Sequence, residues 1–202
     1  MARAFTFMTM TKYYVVIFSL CCLSSFAQES MFPINEIGRY EFSEVVQMGG
    51  MKKDKLFDNG KKFMKKVKVL NSKKKFYSED AQAYSLKNRG SFYVYRMGSM
   101  KKAIAGAVEY DLTLEVKEAR YRYTLTNFVF NEYKKNRYAK YEPIKGKYTP
   151  LEAQLTGVNA KEWEKQKQVV YDKSQELIQN LYSDMLFVES NKKKKKKKEE
   201  NW

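Results

Sequence analysis

The chain has 202 residues, of which 44% are hydrophobic and 15% aromatic, with only 3 Pro and 9 Gly. That suits one domain with tails and argues against a long disordered linker. The formal charge is +16, there is no His, and the 2 Cys are Cys21 and Cys22; the missing His excludes Ser-His-Asp and Cys-His catalysis, and a chain that has lost both Cys with its first 27 residues has no zinc site of nitrogen and sulfur ligands either.

The charge is not confined to the ends. Arg3 and Lys12 are unopposed in residues 1–28, and Lys192–Lys198 outweigh Glu199 and Glu200 at the other end. Without both ends, 39 basic residues fall to 30 and 23 acidic ones to 21, which leaves +9. A basic body suits an anionic partner or a Lys-rich solvated surface.

Residues 1–27 read as an export signal. Arg3 and Lys12 form a basic start, and Tyr13 to Leu23 form an apolar run. The run falls short of the roughly 20 residues a membrane span needs. Ser25 and Ala27 supply the small-x-small cleavage pattern. Cleavage after Ala27 removes both cysteines. Cys21 or Cys22 is the alternative, a lipid-attachment site, although Leu20 is not the small residue such a site favours.

"RYEFSEVVQM" (39–48) predicts a strand that changes phase between Phe42 and Val45, with a bulge near Ser43. Residues 51–69 place apolar side chains at 56, 57, 63, 64 and 67, one face of a helix. Asp54 near its start and lysines in its later turns suit the helix dipole. Gly60 costs about 1 kcal/mol against Ala in a helix interior, which points to close packing on a sheet. Residues 72–87 give a weak signal, a short strand near Phe76-Tyr77 or one over 82–87. Asn88-Arg89-Gly90 predicts a turn and "SFYVYRM" (91–97) a strand.

The clearest pattern is a hairpin of 104–116 and 121–130. Folded between Glu118 and Ala119, it sets Leu112, Leu114 and Val116 against Leu125, Tyr123 and Tyr121. Its other side sets Asp111, Thr113 and Glu115 against Thr126, Thr124 and Arg122. Such two-sided sorting suits a sheet covered on one face and wet on the other. Glu118-Ala119 is a poor type I′ turn, which needs positive φ twice. A four-residue loop over Lys117–Arg120 is therefore expected.

Residues 131–148 read as a basic, aromatic loop carrying Tyr133, Lys134, Lys135, Arg137, Tyr138, Lys140 and Tyr141. Thr149, Pro150 and Glu152 fit a capping box that opens a short helix, and Gly157 ends it. Asn159 and Glu162 repeat the box. Trp163, Val170, Leu177, Leu181, Met185 and Val188 recur at helical intervals. A helix over 160–187 would be about 42 Å long, so its end either projects or docks. Lys192–Lys198 is a low-complexity, disordered tail, either a contact for phosphorylated lipid or a translated A-rich tract.

In order, "FPINEIGRYEFSEVVQ", "KKDKLFDNGKKFM" and "LTLEVKEARYRYTLTNF" resemble a family of uncharacterised exported bacterial proteins, domain-of-unknown-function family 4468 with a TBP-like fold, common in Bacteroidota. The resemblance covers about residues 32–130. Its most specific part is "VKEARYRYTL", where the family tends to show Lys-Asp-Gly-Arg-Tyr-Arg. Lys117, Arg120, Tyr121 and Arg122 match, while Glu118-Ala119 replaces Asp-Gly and Phe63 stands where Trp is common. The resemblance implies an α+β fold, a curved antiparallel sheet of about five strands with helices on one face, plus here a long C-terminal helix. The expected parts are a signal peptide (1–27), the TBP-like domain (32–148), C-terminal helices (149–190) and the tail (191–202). The fold name describes shape and implies no DNA binding.

Candidate binding residues are Thr113, Glu115, Arg122 and Thr124 on the polar sheet face, and Tyr138 and Lys140 in the basic loop. No metal or cofactor is implied. The expected role is an exported, non-catalytic envelope module. Its partner is then an envelope protein or an anionic surface, not nucleic acid, and it does not span the membrane once the signal is cleaved. Two alternatives stand beside it. One is a hydrolase using carboxylates (Glu109, Asp111, Glu115) or a Ser-x-x-Lys pair (Ser72 with Lys75, Ser99 with Lys102). The other is a binder of anionic polymer or membrane through the basic body.

Overall fold

The structure is a computed structural model that describes residues 31–70, 72, 74, 76–96, 103–157 and 160–187. The expected signal, Cys21, Cys22, Asn159, Val188 and the Lys192–Lys198 tail lie outside these residues, as do Lys75, Ser99 and Lys102. The elements are β1 (Glu41–Gln47), α1 (Lys53–Lys66), β2 (Ser78–Asp80), β3 (Ser85–Tyr95), β4 (Ile104–Lys117), β5 (Arg120–Lys135), β6 (Tyr141–Pro150) and α2 (Ala160–Met185). They form an α+β fold.

The sheet has six strands in the order β1-β5-β4-β3-β2, with β6 also paired to β5. All pairings are antiparallel. β5 is long enough to carry two neighbours on one edge: β1 pairs along 120–126 and β6 along 129–135. The β4–β5 register is the expected one, with Leu114 opposite Tyr123 and Glu115 opposite Arg122. It breaks once, where Tyr110 faces both Asn127 and Phe128. Asn127 takes φ 57° there. The inserted residue switches the parity of β5, so Leu125 and Phe128 both reach the core although they are three residues apart.

That core lies between the sheet and the helices. Leu86, Leu112, Leu114, Val116, Tyr121 and Leu125 supply the sheet side. Leu56, Phe57, Phe63 and Met64 come from α1, and Trp163, Val170, Leu181 and Met185 from α2. Gly60 is buried against the sheet. A Cβ on it would lie 2.5 Å from Leu114 Cδ2 and 3.1 Å from Leu86 Cδ1, so the glycine sets the close approach that its helical cost foreshadowed. The end of α2 docks rather than projects. Asn59 Nδ2 donates to the carbonyls of Met185 (2.9 Å) and Phe187 (3.0 Å), and Lys66 pairs with Asp184 at 2.6 Å.

Several local expectations are overturned. β1 pairs without a break from Glu41 to Gln47, so there is no bulge at Ser43. Val46 stays in phase with Phe42, and Val45 is simply left on the open face, 41% exposed. Asn88-Arg89-Gly90 is not a turn but the middle of β3. Gly90 is there because Tyr110 lies directly over it. The 131–148 segment is mostly strand, the end of β5 and most of β6. The helix expected from Thr149 does not form, because Thr149 and Pro150 complete the pairing of β6 with β5. Pro150 needs no donor at a strand end. Finally, Lys117 and Arg120 are paired, so the β4–β5 turn has two residues. Of these Ala119 alone has positive φ, 55°, and a type I′ turn is thereby avoided.

Candidate functional site

The face of the sheet opposite the helices is built in rows by the strand registers. One row runs Ser78, Lys87, Thr113, Thr124, Ser43. The next runs Asp80, Ser85, Glu115, Arg122, Val45. A third at the hairpin end joins Lys117, Arg120 and Gln47. Alternation along each strand puts these side chains on one side because their neighbours Leu114, Val116, Tyr121 and Tyr123 are drawn into the core. Glu115, Arg122, Lys117, Arg120, Lys87 and Ser43 are exposed, and Thr113 and Thr124 half-buried.

Four expected site residues therefore do meet on one surface. Ser43 Oγ and Thr124 Oγ1 lie 3.3 Å apart. Arg122 Nη1 and Glu115 Oε2 are 3.9 Å apart, with both side chains more than half exposed. Such a pair contributes little to stability and leaves the guanidinium fork accessible. Tyr138 and Lys140 are not part of this surface. They sit at the β5–β6 turn, about 40 Å further along β5 at 3.3 Å per residue. Asn136 organises that turn: its Oδ1 accepts the N–H groups of Tyr138 and Lys140, each at 2.9 Å. Tyr138 is 66% exposed, and Arg137 packs 4.8 Å from its ring centre.

The carboxylates on the open face do not act as a pair. Asp111 receives Arg89 Nε (2.7 Å), Arg89 Nη2 (3.3 Å) and Asn127 Nδ2 (2.8 Å). The hydrogen bond from Arg89 to Asp111, with their attraction, holds the guanidinium above its usual range. Glu109 receives Asn131 Nδ2 at 2.8 Å. Both acids fix the strand bulge and its surroundings, so Glu115 alone of the three faces water without a close hydrogen-bond donor among the described residues.

Lys87, Lys117 and Arg120 were not among the candidate binding residues, although Lys117 and Arg120 match the family pattern. The signal was the Arg-x-Arg spacing of 120 and 122 on a strand, which puts both cations on one face. Larger cavities lie elsewhere. One of about 500 Å³ runs between the end of α1 and β3, bordered by Lys65, Lys68, Phe76 and Tyr77. Another of about 630 Å³ lies between β6 and the start of α2, beside Phe130 and Trp163. No described helix is long and apolar enough to cross a membrane.

Residues 42–131 match the family model described as domain of unknown function (DUF4468) with TBP-like fold. Two crystal structures are similar. One is a TBP-like protein from Parabacteroides distasonis, 13% identical, covering 79% of this chain and 100% of its own, with a TM-score of 0.60. The other is a DUF4468 family protein from Bacteroides ovatus, 14% identical, covering 81% of this chain and 95% of its own, with a TM-score of 0.56. These likenesses show the fold. No curated protein matches the chain.

Proposed function

We propose, from the premise that residues 42–131 are a DUF4468 domain of TBP-like fold, that the chain is an exported, non-catalytic envelope protein that binds a partner through the open face of its sheet. The observation that carries this reading is the one-sided sheet. α1 and α2 close one face, and polar rows centred on Thr113, Thr124, Glu115 and Arg122 stand open on the other. The hydrogen-bonding of Asp111 and Glu109 within the sheet supports binding over carboxylate catalysis. The composition of residues 1–27 supports export.

The test is photo-crosslinking in the native envelope. A photo-reactive residue at position 113 or 124 is expected to form a discrete adduct, and one at Gln168, exposed on α2, to form none. Adducts from 168 alone would contradict the reading. Cell fractionation checks export, with the intact chain expected in the envelope and a chain lacking residues 2–27 expected in the cytoplasm. Turnover of peptidoglycan or glycan by the purified protein would contradict the non-catalytic assignment.

A further inference from the structure

At the β4–β5 turn the open face breaks a rule of cross-strand pairing. Lys117 stands directly opposite Arg120, and like charges so placed repel. Arg122 follows two residues on, on the same side of the strand. Its own facing residue, Glu115, is 3.9 Å away. The carboxylate of the turn itself does not help. Glu118 reaches to the first turn of α1, where it accepts the Lys53 N–H at 3.2 Å. No carboxylate among the described residues bridges Lys117 or Arg120. With Val45 and Tyr121, these residues line a cleft of about 140 Å³ in which three cations meet one carboxylate.

We infer that this cleft binds a phosphoryl group, an inference that rests on the open face being the contact surface and names the chemistry it recognises. Three cations and one carboxylate leave a surplus of two positive charges, which a phosphate dianion neutralises and a single carboxylate does not. The Arg120 and Arg122 forks each suit bidentate contact with oxygens, and Lys117 adds a point charge. The volume admits one tetrahedral group. The rest of a ligand then lies along the rows toward Thr124 and Thr113.

The experiment is an NMR titration of the intact chain with inorganic phosphate at constant ionic strength. Saturable shifts are expected at the Arg120 and Arg122 Nε–H groups. Arg120→Ala and Arg122→Ala should each weaken binding at least tenfold, and Arg120→Lys, which keeps charge and loses the fork, should weaken it as well. Glu115→Gln should strengthen it severalfold. Lys140→Ala, at the far turn, should leave it unchanged. The spectrum of each variant shows directly whether it is folded. A second arm compares vesicles of phosphatidic acid with vesicles of phosphatidylcholine. Arg120-dependent binding to the former alone places the phosphoryl group on a lipid, and binding of free phosphate without vesicle binding places it on a soluble ligand. Absence of saturable shifts, or affinity unaltered by Arg120→Ala and Arg122→Ala, overturns the inference. If phosphate fails while adducts still form from position 113, the open-face reading stands and the phosphoryl assignment falls.

Discussion

Asn88 Nδ2 lies 2.7 Å from the carbonyl oxygen of Met64 and 3.1 Å from that of Val67, so a side chain from the sheet caps the C-terminal end of α1. The last carbonyls of a helix lack helical partners; here the buried Met64 carbonyl also accepts the Val67 N–H at 3.2 Å, and the Val67 carbonyl is half-buried. Replacing Asn88 by Ala or by Leu is expected to cost about 1–3 kcal/mol, the loss of two hydrogen bonds that leaves the Met64 carbonyl with the Val67 N–H alone. Urea unfolding measures this as a fall in midpoint at constant slope. The Leu variant separates the hydrogen bonds from the loss of volume, and stability equal to wild type in that variant would contradict the capping role.

Gly90→Ala is expected to destabilise by about 1–3 kcal/mol through overpacking. The added Cβ would lie 2.5 Å from Tyr110 Cζ and 2.7 Å from Val67 Cγ1. A Tyr110→Val change in the same chain should recover part of the loss, since the two sites touch. Additive effects in thermal or urea unfolding would speak against the contact.

Ala119→Gly is expected to stabilise the protein by about 1 kcal/mol. Ala119 holds φ 55° at the β4–β5 turn, a conformation that costs an L-residue roughly 1–2 kcal/mol, and glycine adopts it freely. Part of the gain returns as entropy of the unfolded chain. A lower unfolding midpoint would contradict this account of the turn.

Alkali should unfold the protein through its buried phenols. Burial, reinforced by a hydrogen bond to Glu44, pushes the Tyr123 hydroxyl up to about 12. Burial also raises Tyr110 and Tyr121 above the ordinary 10.0. In the unfolded chain these groups ionise near 10, so above that pH unfolding releases protons. The stability they contribute is complete below pH 10 and is lost as pH rises through 12. Melting temperature should fall across this window, more shallowly in Tyr123→Phe. The same fall of melting temperature with pH in the wild type and in Tyr123→Phe would be the contrary result.

The sequence displayed the hairpin, because alternation repeats over enough residues of β4 and β5 to define both faces and their register. It displayed α1 for the same reason, through a sustained apolar stripe. It concealed β6, because Thr149-Pro150-x-Glu152 satisfies helix-capping chemistry that sheet pairing then overrides. Asn88-Arg89-Gly90 carried turn chemistry, yet each residue serves a tertiary contact: Asn88 caps α1, Arg89 holds Asp111, and Gly90 admits Tyr110. The Thr113, Glu115, Arg122 and Thr124 surface followed from alternation alone. Its separation from Tyr138 and Lys140 did not, because the extension of β5 to Lys135 depends on pairing with β6.

Lysine acetylation of the protein, free and in native envelope fractions, tests the open-face claim most directly. Lys87 and Lys117 lie on the open sheet face, and Lys165 and Lys173 are exposed on α2. If the open face is the contact surface, Lys87 and Lys117 lose reactivity in the envelope while Lys165 and Lys173 keep theirs. Protection of the helix pair with the sheet pair still reactive would contradict it.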